Sequence, residues 1–486
     1  MQTNIPFLLD ASGVKIYNPA LITDEFARYY ASLYNLGLNN SVPTPALGDI
    51  ELFLQAASLP SISPSQATGL LAAFTEEEVH KAINALPKNK APGPDGFTNL
   101  YYQKFASSLV PILTLVFNDI KDTGIIPSEM LQATIVTLPK PGKPPTHCAN
   151  FRPISLLNVD AKLYAKLLAN RLAPLLPSLI ANEQTVFVPG RQTCDNTRRF
   201  YDILDLAHRT NTSGLLLAVD AEKAFDRLYW GYMRLVLLKF GFPERFINSV
   251  LALYSDPSAK VLASGFLSSA FHITNGTRQG CPLSPLIFIL ALEPLALQIK
   301  TAPAIKGLPT PNEEHKLALF ADDILLFLTT PETSLPPLFN LLDSFGAISY
   351  YKNNMSKTQA LPINIAASSI SSMRSMYPFD WRSTSLKYLG MGGGANCGAW
   401  RTCFSPAPDQ AARKTRISTT GDRTYHLRYR NTPPEYIAVT MATAKGKKAP
   451  GTKEFFTLGP VDAAKMQIPK MAAAPRPFSK FGDRHQ

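Results

Sequence analysis

The chain has 486 residues, 45% of them hydrophobic and 17% charged, enough for a large globular core and more than one domain. A net charge of +12 would ordinarily suggest a nucleic-acid partner. However, residues 391–486 hold 16 Lys/Arg against 6 Asp/Glu and the first 390 residues hold 32 against 30, so the total says little about the main body. Five cysteines (Cys148, Cys194, Cys281, Cys397, Cys403) without a Cys-x-x-Cys pair argue against a disulfide framework or structural zinc. They favour a reducing, intracellular compartment, with nucleus and cytoplasm both open. The opening Met-Gln-Thr-Asn lacks the basic start of a secretory signal. The longest apolar run, Pro285 to Gln298, is interrupted by Glu293 and Pro294 and reads as too short to span a bilayer, so no membrane partner is expected.

In chain order, residues 1–70 read as a partly helical extension. Phe26, Tyr29, Tyr30, Leu33 and Leu36 share one face of a helix from Leu21 to Leu36, with Thr23 or Asp24 as its cap. Thr75 and Glu78 form a capping box that opens a helix to about Leu86. Pro87 to Phe97 is a loop stiffened by prolines and loosened by glycines, either an ordinary turn or a segment that brings backbone near a polyanion. A helical stretch from Asn99 to Thr123 precedes a strand, Ala133 to Leu138, and a basic hairpin tip at Pro139 to Pro144. Asn150 to Ser155 then leads into an amphipathic helix from about Asp160 to Leu172, whose lysines and arginine read first as a solvated face.

Leu215 to Asp220 is an apolar strand ending in a carboxylate, a position that serves equally as a helix cap or as a site residue at the carboxyl end of a strand. A Gly/Pro-rich loop from Asn275 enters a long apolar helix to about Lys300, and its glycine allows close approach of backbone or nucleotide. From Leu317 to Leu328 an apolar β-forming run is interrupted by Asp322 and Asp323. This is a hairpin whose turn carries two acids, either a surface turn or a turn offered to a metal. Leu338 to Ile348 is helical, Tyr351 to Thr358 carries Lys352 and Lys357, and Ser385 to Gly390 ends the regular portion. Met391 to Gln486, rich in Gly, Ala, Thr, Pro and basic residues, reads as a mostly disordered tail.

If adjacent strands join Asp220 to Asp322 and Asp323, the like charges force proton uptake unless cations neutralise them. Two magnesium ions about 4 Å apart would do so and create a centre for phosphoryl transfer.

The ordered set Pro-Gly-Pro-Asp-Gly-Phe (92–97), Asn-Phe-Arg-Pro-Ile-Ser (150–155), Val-Asp-Ala-Glu-Lys-Ala-Phe-Asp (219–226), Thr-Arg-Gln-Gly-Cys-Pro-Leu-Ser-Pro (277–285), Phe-Ala-Asp-Asp (320–323) and Lys-Tyr-Leu-Gly (387–390) resembles the reverse transcriptase of LINE-type non-LTR retrotransposons. The resemblance implies an α+β right-hand polymerase, with fingers over 71–214, a palm over 215–390, and a thumb largely missing. It implies RNA template, DNA primer and dNTPs as partners and two Mg²⁺ ions, replaceable by Mn²⁺. By the same resemblance Asp220 and Asp322 ligate the metals, with Asp323 beside them and the Ala221 carbonyl as a backbone ligand. Phe225 matches a steric gate against a 2′-hydroxyl, and Arg152, with Lys140, a contact to the triphosphate. Gln279 and Gly280 match the loop that positions template and nucleotide, and Lys357 matches a lysine that would protonate pyrophosphate.

The chain departs from that family in three expected ways. Nothing the size of an endonuclease precedes residue 20. Cys397, Cys403 and His426 lack the spacing of a C-terminal Cys/His cluster. The resemblance stops near Gly390, so the tail reads as a frame-shifted or fused segment. An RNA-binding remnant without activity is the competing reading; a maturase or an RNA-copying RNA polymerase fits bulky Phe225 less well.

Overall fold

The structure is a computed structural model that describes residues 5–10, 12–37, 42–310, 313–382, 385–389 and 391–394, together with three short strands further on. It divides into two units, residues 1–395 and 396–486. The first mixes helices with two five-stranded sheets, in keeping with an α+β class. The labelled elements are α1 (Pro19–Tyr34), α2 (Glu76–Asn84), α3 (Ala106–Thr123), β1 (Gln132–Pro139), β2 (Phe151–Leu157), α4 (Val159–Leu172), β3 (Gly214–Val219), β4 (Ser258–Ala263), α5 (Ser284–Thr301), β5 (Leu317–Phe320), β6 (Asp323–Leu328), α6 (Pro331–Ser349) and β7 (Gln359–Ile363).

The sheet that carries the acids runs β5-β6-β3-β7, with Asp380–Trp381 at its far edge. β3, β6 and β5 pair antiparallel, as does β7 with β3. Leu215, Leu217, Val219, Ile324 and Leu326 face the main core with α4, α5 and α6. Leu216, Leu325 and Phe327 face a second cluster that includes Phe200, Leu204 and Ala207 of the Thr193–Arg209 helix. Burial on both faces explains why β3 reads as an unbroken apolar run rather than an alternating one.

The other sheet runs β2-β1-β4, completed by Phe266–Leu267 and Phe271–His272. β2 is an edge strand, which suits Pro153 within it. β1 pairs parallel with β4, so residues distant in sequence share this sheet. α1 packs on it, with Phe26 edge-on to Phe151 at 4.9 Å.

Several elements differ from the sequence reading. α1 begins earlier, because Asn18 caps it by accepting from Ala20 N (2.9 Å) and Pro19 supplies a preset first turn. Thr23 lies inside the helix instead, donating to Pro19 O and Ala263 O. The Thr75/Glu78 capping box forms as expected, and the Asn99–Thr123 stretch is two helices, Asn99–Lys104 and α3. Regular structure continues beyond Gly390, since Ser385–Tyr388 pairs with Met391–Gly394.

The apolar helix α5 spans 18 residues with mean hydropathy 1.3, so it is long enough to cross a membrane, contrary to the reading from its interrupted run. Its role follows from packing: 72% of it is buried within the protein, among core side chains. In the second unit, Arg416–Thr420, Thr424–Arg428 and Thr440–Met441 form a small antiparallel sheet. The rest of the expected disordered tail, including Cys397 and Cys403, lies outside the described residues.

Glu293 is buried in α5, accepts from Ala181 N at 2.9 Å, and is pushed by burial up to about 7 from the ordinary value of 4.5. An acid whose folded pKa is raised favours the fold while protonated, so its contribution is lost as pH rises from 4.5 to about 7. Glu293→Gln should therefore stabilise the protein at pH 8 by on the order of 3 kcal/mol, with the gain shrinking toward pH 4.5, as measured by urea unfolding across pH.

Candidate active site

Phe320 pairs with Asp323 across β5 and β6, so the hairpin turn consists of Ala321 and Asp322 alone. Ala321 holds a left-handed φ of +55°, unfavourable for a residue with a Cβ. Gln184 braces it: Ala321 N donates to Gln184 Oε1 (3.0 Å) and Gln184 Nε2 donates to Ala321 O (3.3 Å). Gln184 itself bridges to Leu319 along the outer edge of β5. On the inner side Ile324 lies opposite Val219, which brings Asp323 and Asp220 to the same edge of the sheet.

The end of β3 is held by the segment before β7. Asn354 N donates to Asp220 O (2.8 Å), Glu222 N donates to Lys352 O (2.9 Å), and Asp220 N donates to Thr358 Oγ1 (3.3 Å). These bonds define a bridge between Ala221 and Asn353 in which Ala221 uses neither its own N–H nor its own C=O.

Burial raises the carboxyl pKa of Asp220, Asp322 and Asp323. Mutual repulsion adds to this: Asp220 raises Asp322, and both raise Asp323, which reaches about 6 although its side chain keeps solvent access. Among the described residues none of the three forms an ion pair; the pair beside them joins Lys352 to Glu222 at 3.0 Å.

Basic residues lie near Asp220. Burial, then the charges of Lys223, Lys357 and Arg152, lower the Lys140 ammonium, and Asp220 opposes them. Those five residues therefore share one electrostatic neighbourhood. Lys140 continues the β1–β2 hairpin through its N–H to Asn150 O (2.8 Å), and Arg152 pairs with Leu138 and stays exposed. Lys357 is exposed as well.

Phe225 is half-buried with its ring stacked on Phe288 at 4.1 Å. Its carbonyl accepts from Thr277 N (2.6 Å) and Thr277 Oγ1 (3.1 Å). The same loop reaches β2, where Ser155 N donates to Gln279 O (3.1 Å). Gly280, at φ +116°, passes so near that a Cβ would stand 2.9 Å from Ser155 O. The loop thus joins the strand carrying Arg152 to the turn carrying Phe225.

Sequence reasoning missed four neighbours. Lys223 is left-handed (φ +55°), and its Nζ is buried without a hydrogen-bond partner over Tyr29 and Tyr30, at 5.6 and 5.9 Å from their rings. Asp226 is buried and pushed to about 6 by burial. Tyr351 is buried, and its phenol is raised by burial and by Asp322, Asp220 and Asp323. Lys223 and Asp226 stand inside the 219–226 motif, where they were legible. Gln184 carries no local signal, because its partner is a turn far along the chain.

No group of three or more His, Cys, Asp and Glu side chains in the described residues forms a ready metal cage. The donors present are carboxylate oxygens from Asp220, Asp322 and Asp323 and the Ala221 carbonyl, unpaired with any cation. That set fits Mg²⁺, which is commonly held by one or two carboxylates plus substrate phosphates rather than by an all-protein cage.

Comparison with known proteins agrees with this chemistry. Residues 138–392 match the model of the family described as reverse transcriptase (RNA-dependent DNA polymerase). The chain belongs to that family, whose members generally use divalent metal ions. Its relatives are proteins of non-LTR retrotransposons. The Xenopus laevis transposon TX1 uncharacterized 149 kDa protein is 29% identical over 392 residues, which is 80% of this chain and 29% of the relative. The Drosophila melanogaster RNA-directed DNA polymerase from mobile element jockey is 27% identical, covering 65% of this chain and 33% of the relative. The Drosophila melanogaster Pol polyprotein from retrotransposable element R2DM is 30% identical, over 53% and 23%. The chain therefore spans a third or less of the length of these relatives.

Replacing Gln184 by Leu removes both bonds that hold the turn. It should cost about 1–3 kcal/mol in denaturant unfolding, and hydrogen exchange should quicken at Ala321 while β7 keeps its protection.

Proposed function

We propose that the chain is an RNA-directed DNA polymerase that extends a DNA primer on an RNA template. The observation that carries this reading is the meeting of Asp220, Asp322 and Asp323 at one sheet edge, unpaired, with Lys357 and Lys140 near Asp220 and Arg152 near Lys140. Acids alone would repel a triphosphate, and a basic rim alone would bind one without reacting. Together they suit a substrate that arrives as a metal–triphosphate complex.

In this reading residues 71–214 form fingers and 215–390 a palm, with β4 lying in the sheet of the fingers segment and 1–70 packed alongside as an extension. Two Mg²⁺ ions, or Mn²⁺ in their place, would activate the primer 3′-hydroxyl and stabilise the leaving pyrophosphate. Asp220 and Asp322 would hold them with the Ala221 carbonyl, while Asp323 stays in reserve beside them. Arg152 and Lys140 orient the phosphates, Gln279 and Gly280 set the template and nucleotide, and Phe225 excludes a 2′-hydroxyl. Lys357, whose charge is felt at Asp220, acts on the departing pyrophosphate. The setting proposed for this activity is intracellular, in the nucleus or the cytoplasm.

Primer extension on an RNA template with dNTPs and Mg²⁺ tests the proposal. Asp220→Ala and Asp322→Ala should each lower the rate by at least about 10³-fold while the fold persists by circular dichroism. Extension that survives in either variant would refute the metal assignment, and an inactive but folded wild-type chain would favour an RNA-binding remnant. Arg152→Ala should raise KM for dNTP by about tenfold with a smaller change in kcat, read from single-nucleotide kinetics.

A further inference from the structure

The C-terminal end of α1 is tied into the segment that carries Phe225. Tyr34 is buried, and its hydroxyl donates to Asp226 Oδ1 at 2.9 Å. Tyr34 O accepts from Thr274 N (2.8 Å) and Asn275 N (3.3 Å). Asn275, fully buried, joins three pieces of chain. Its Nδ2 donates to Leu33 O (3.1 Å) and to Asp226 O (3.0 Å), and its Oδ1 accepts from Leu36 N (2.9 Å). Gly276 follows at φ +85°, so close to Asp226 O that no side chain could stand there. Thr277 then grips the Phe225 carbonyl as described.

This density of bonds exceeds what docking a peripheral helix requires. Apolar contacts already anchor α1 on the second sheet through Ile22, Phe26 and Tyr30. The polar contacts converge instead on two residues, Asp226 and Asn275, that flank the Phe225 backbone and the start of the Gln279 loop. A gate discriminates sugars differing by one hydroxyl only if its ring cannot retreat by a fraction of an ångström. Phe288 restrains the ring from one side, and the backbone is restrained by the Asp226–Asn275 knot that Tyr34 completes.

We infer that Tyr34 and Asn275 are positioning residues for sugar selection, through which α1 fixes Phe225 and the Gln279 loop against the incoming nucleotide. This inference rests on the polymerase reading above. Both act through Asp226, whose chain neighbour Phe225 is held in turn by Thr277.

The test compares the wild-type chain with Tyr34→Phe and Phe26→Leu. Phe26 lies on the same helix and in the same apolar cluster but outside the hydrogen-bonded knot. Single-nucleotide extension with dNTP and with the matching rNTP gives the discrimination ratio. Tyr34→Phe should lower that ratio by about fivefold, chiefly through a lower KM for the rNTP, whereas Phe26→Leu should lower thermal stability and leave the ratio in place. Hydrogen exchange supplies a readout that needs no activity: Tyr34→Phe should quicken exchange at Asp226, Thr274, Asn275 and Thr277, with β1 and β7 unaffected. An unchanged ratio in an active Tyr34→Phe enzyme overturns the inference and leaves the polymerase reading standing. Equal loss of discrimination in Phe26→Leu also overturns it. If the wild-type chain does not extend primers, exchange decides alone, and unchanged protection in Tyr34→Phe overturns the coupling itself.

Discussion

Three carboxylates at one sheet edge repel each other and have lost part of their hydration. The surrounding architecture holds them in place against both costs. β3 and β6 present Asp220 and Asp323 side by side because their register is locked by apolar side chains on both faces. A slip of one residue would turn every one of those side chains to the wrong face. The strained turn at Ala321 is tolerated because Gln184 occupies both of its backbone groups. The site is therefore a consequence of a rigid sheet, and the raised pKa of its carboxyl groups is the mark of negative charge that lacks a counter-charge.

The counter-charges that the protein supplies stand back from the acids. Arg152, Lys223 and Lys357 are near enough to lower the Lys140 ammonium, yet among the described residues none of the four pairs with Asp220, Asp322 or Asp323. A direct ion pair would quench the carboxylates and close the site. In the proposed reading, separation keeps both sets available, one for a cation and one for phosphates. Lys223 is the extreme case, buried without a hydrogen-bond partner between aromatic rings and the Asp226 carboxylate.

Much of this was legible in the sequence because the signals were local. The Asp-Asp interruption of an apolar run, the carboxylate at the end of Leu215 to Val219 and the Thr75 capping box each announce themselves within a few residues. The ordered motifs placed Arg152, Phe225 and Gln279 in one family pattern. The start of α1 was misplaced because Thr23 and Asp24 resemble caps, while Asn18-Pro19 supplied the better one. The helix to about Lys300 was legible, but its apolar run was judged too short to span a bilayer because Glu293 and Pro294 read as an interruption, whereas burial and the Ala181 bond accommodate the acid inside the helix. Gln184, Tyr34 and Asn275 could not be found from spacing, since each acts on a segment brought near only by the fold. That β1 pairs with β4 was likewise invisible, because a parallel pairing across more than a hundred residues leaves no local trace.

The central claim is that the three acids form a metal site completed by substrate. The most direct measurement is Mn²⁺ binding by electron paramagnetic resonance on the chain with an RNA template, a chain-terminated DNA primer and the next dNTP. The account predicts about two bound ions per chain in that complex, weaker binding without dNTP, and loss of binding in Asp322→Asn. Binding that ignores the nucleotide, or that survives Asp322→Asn unchanged, would contradict it.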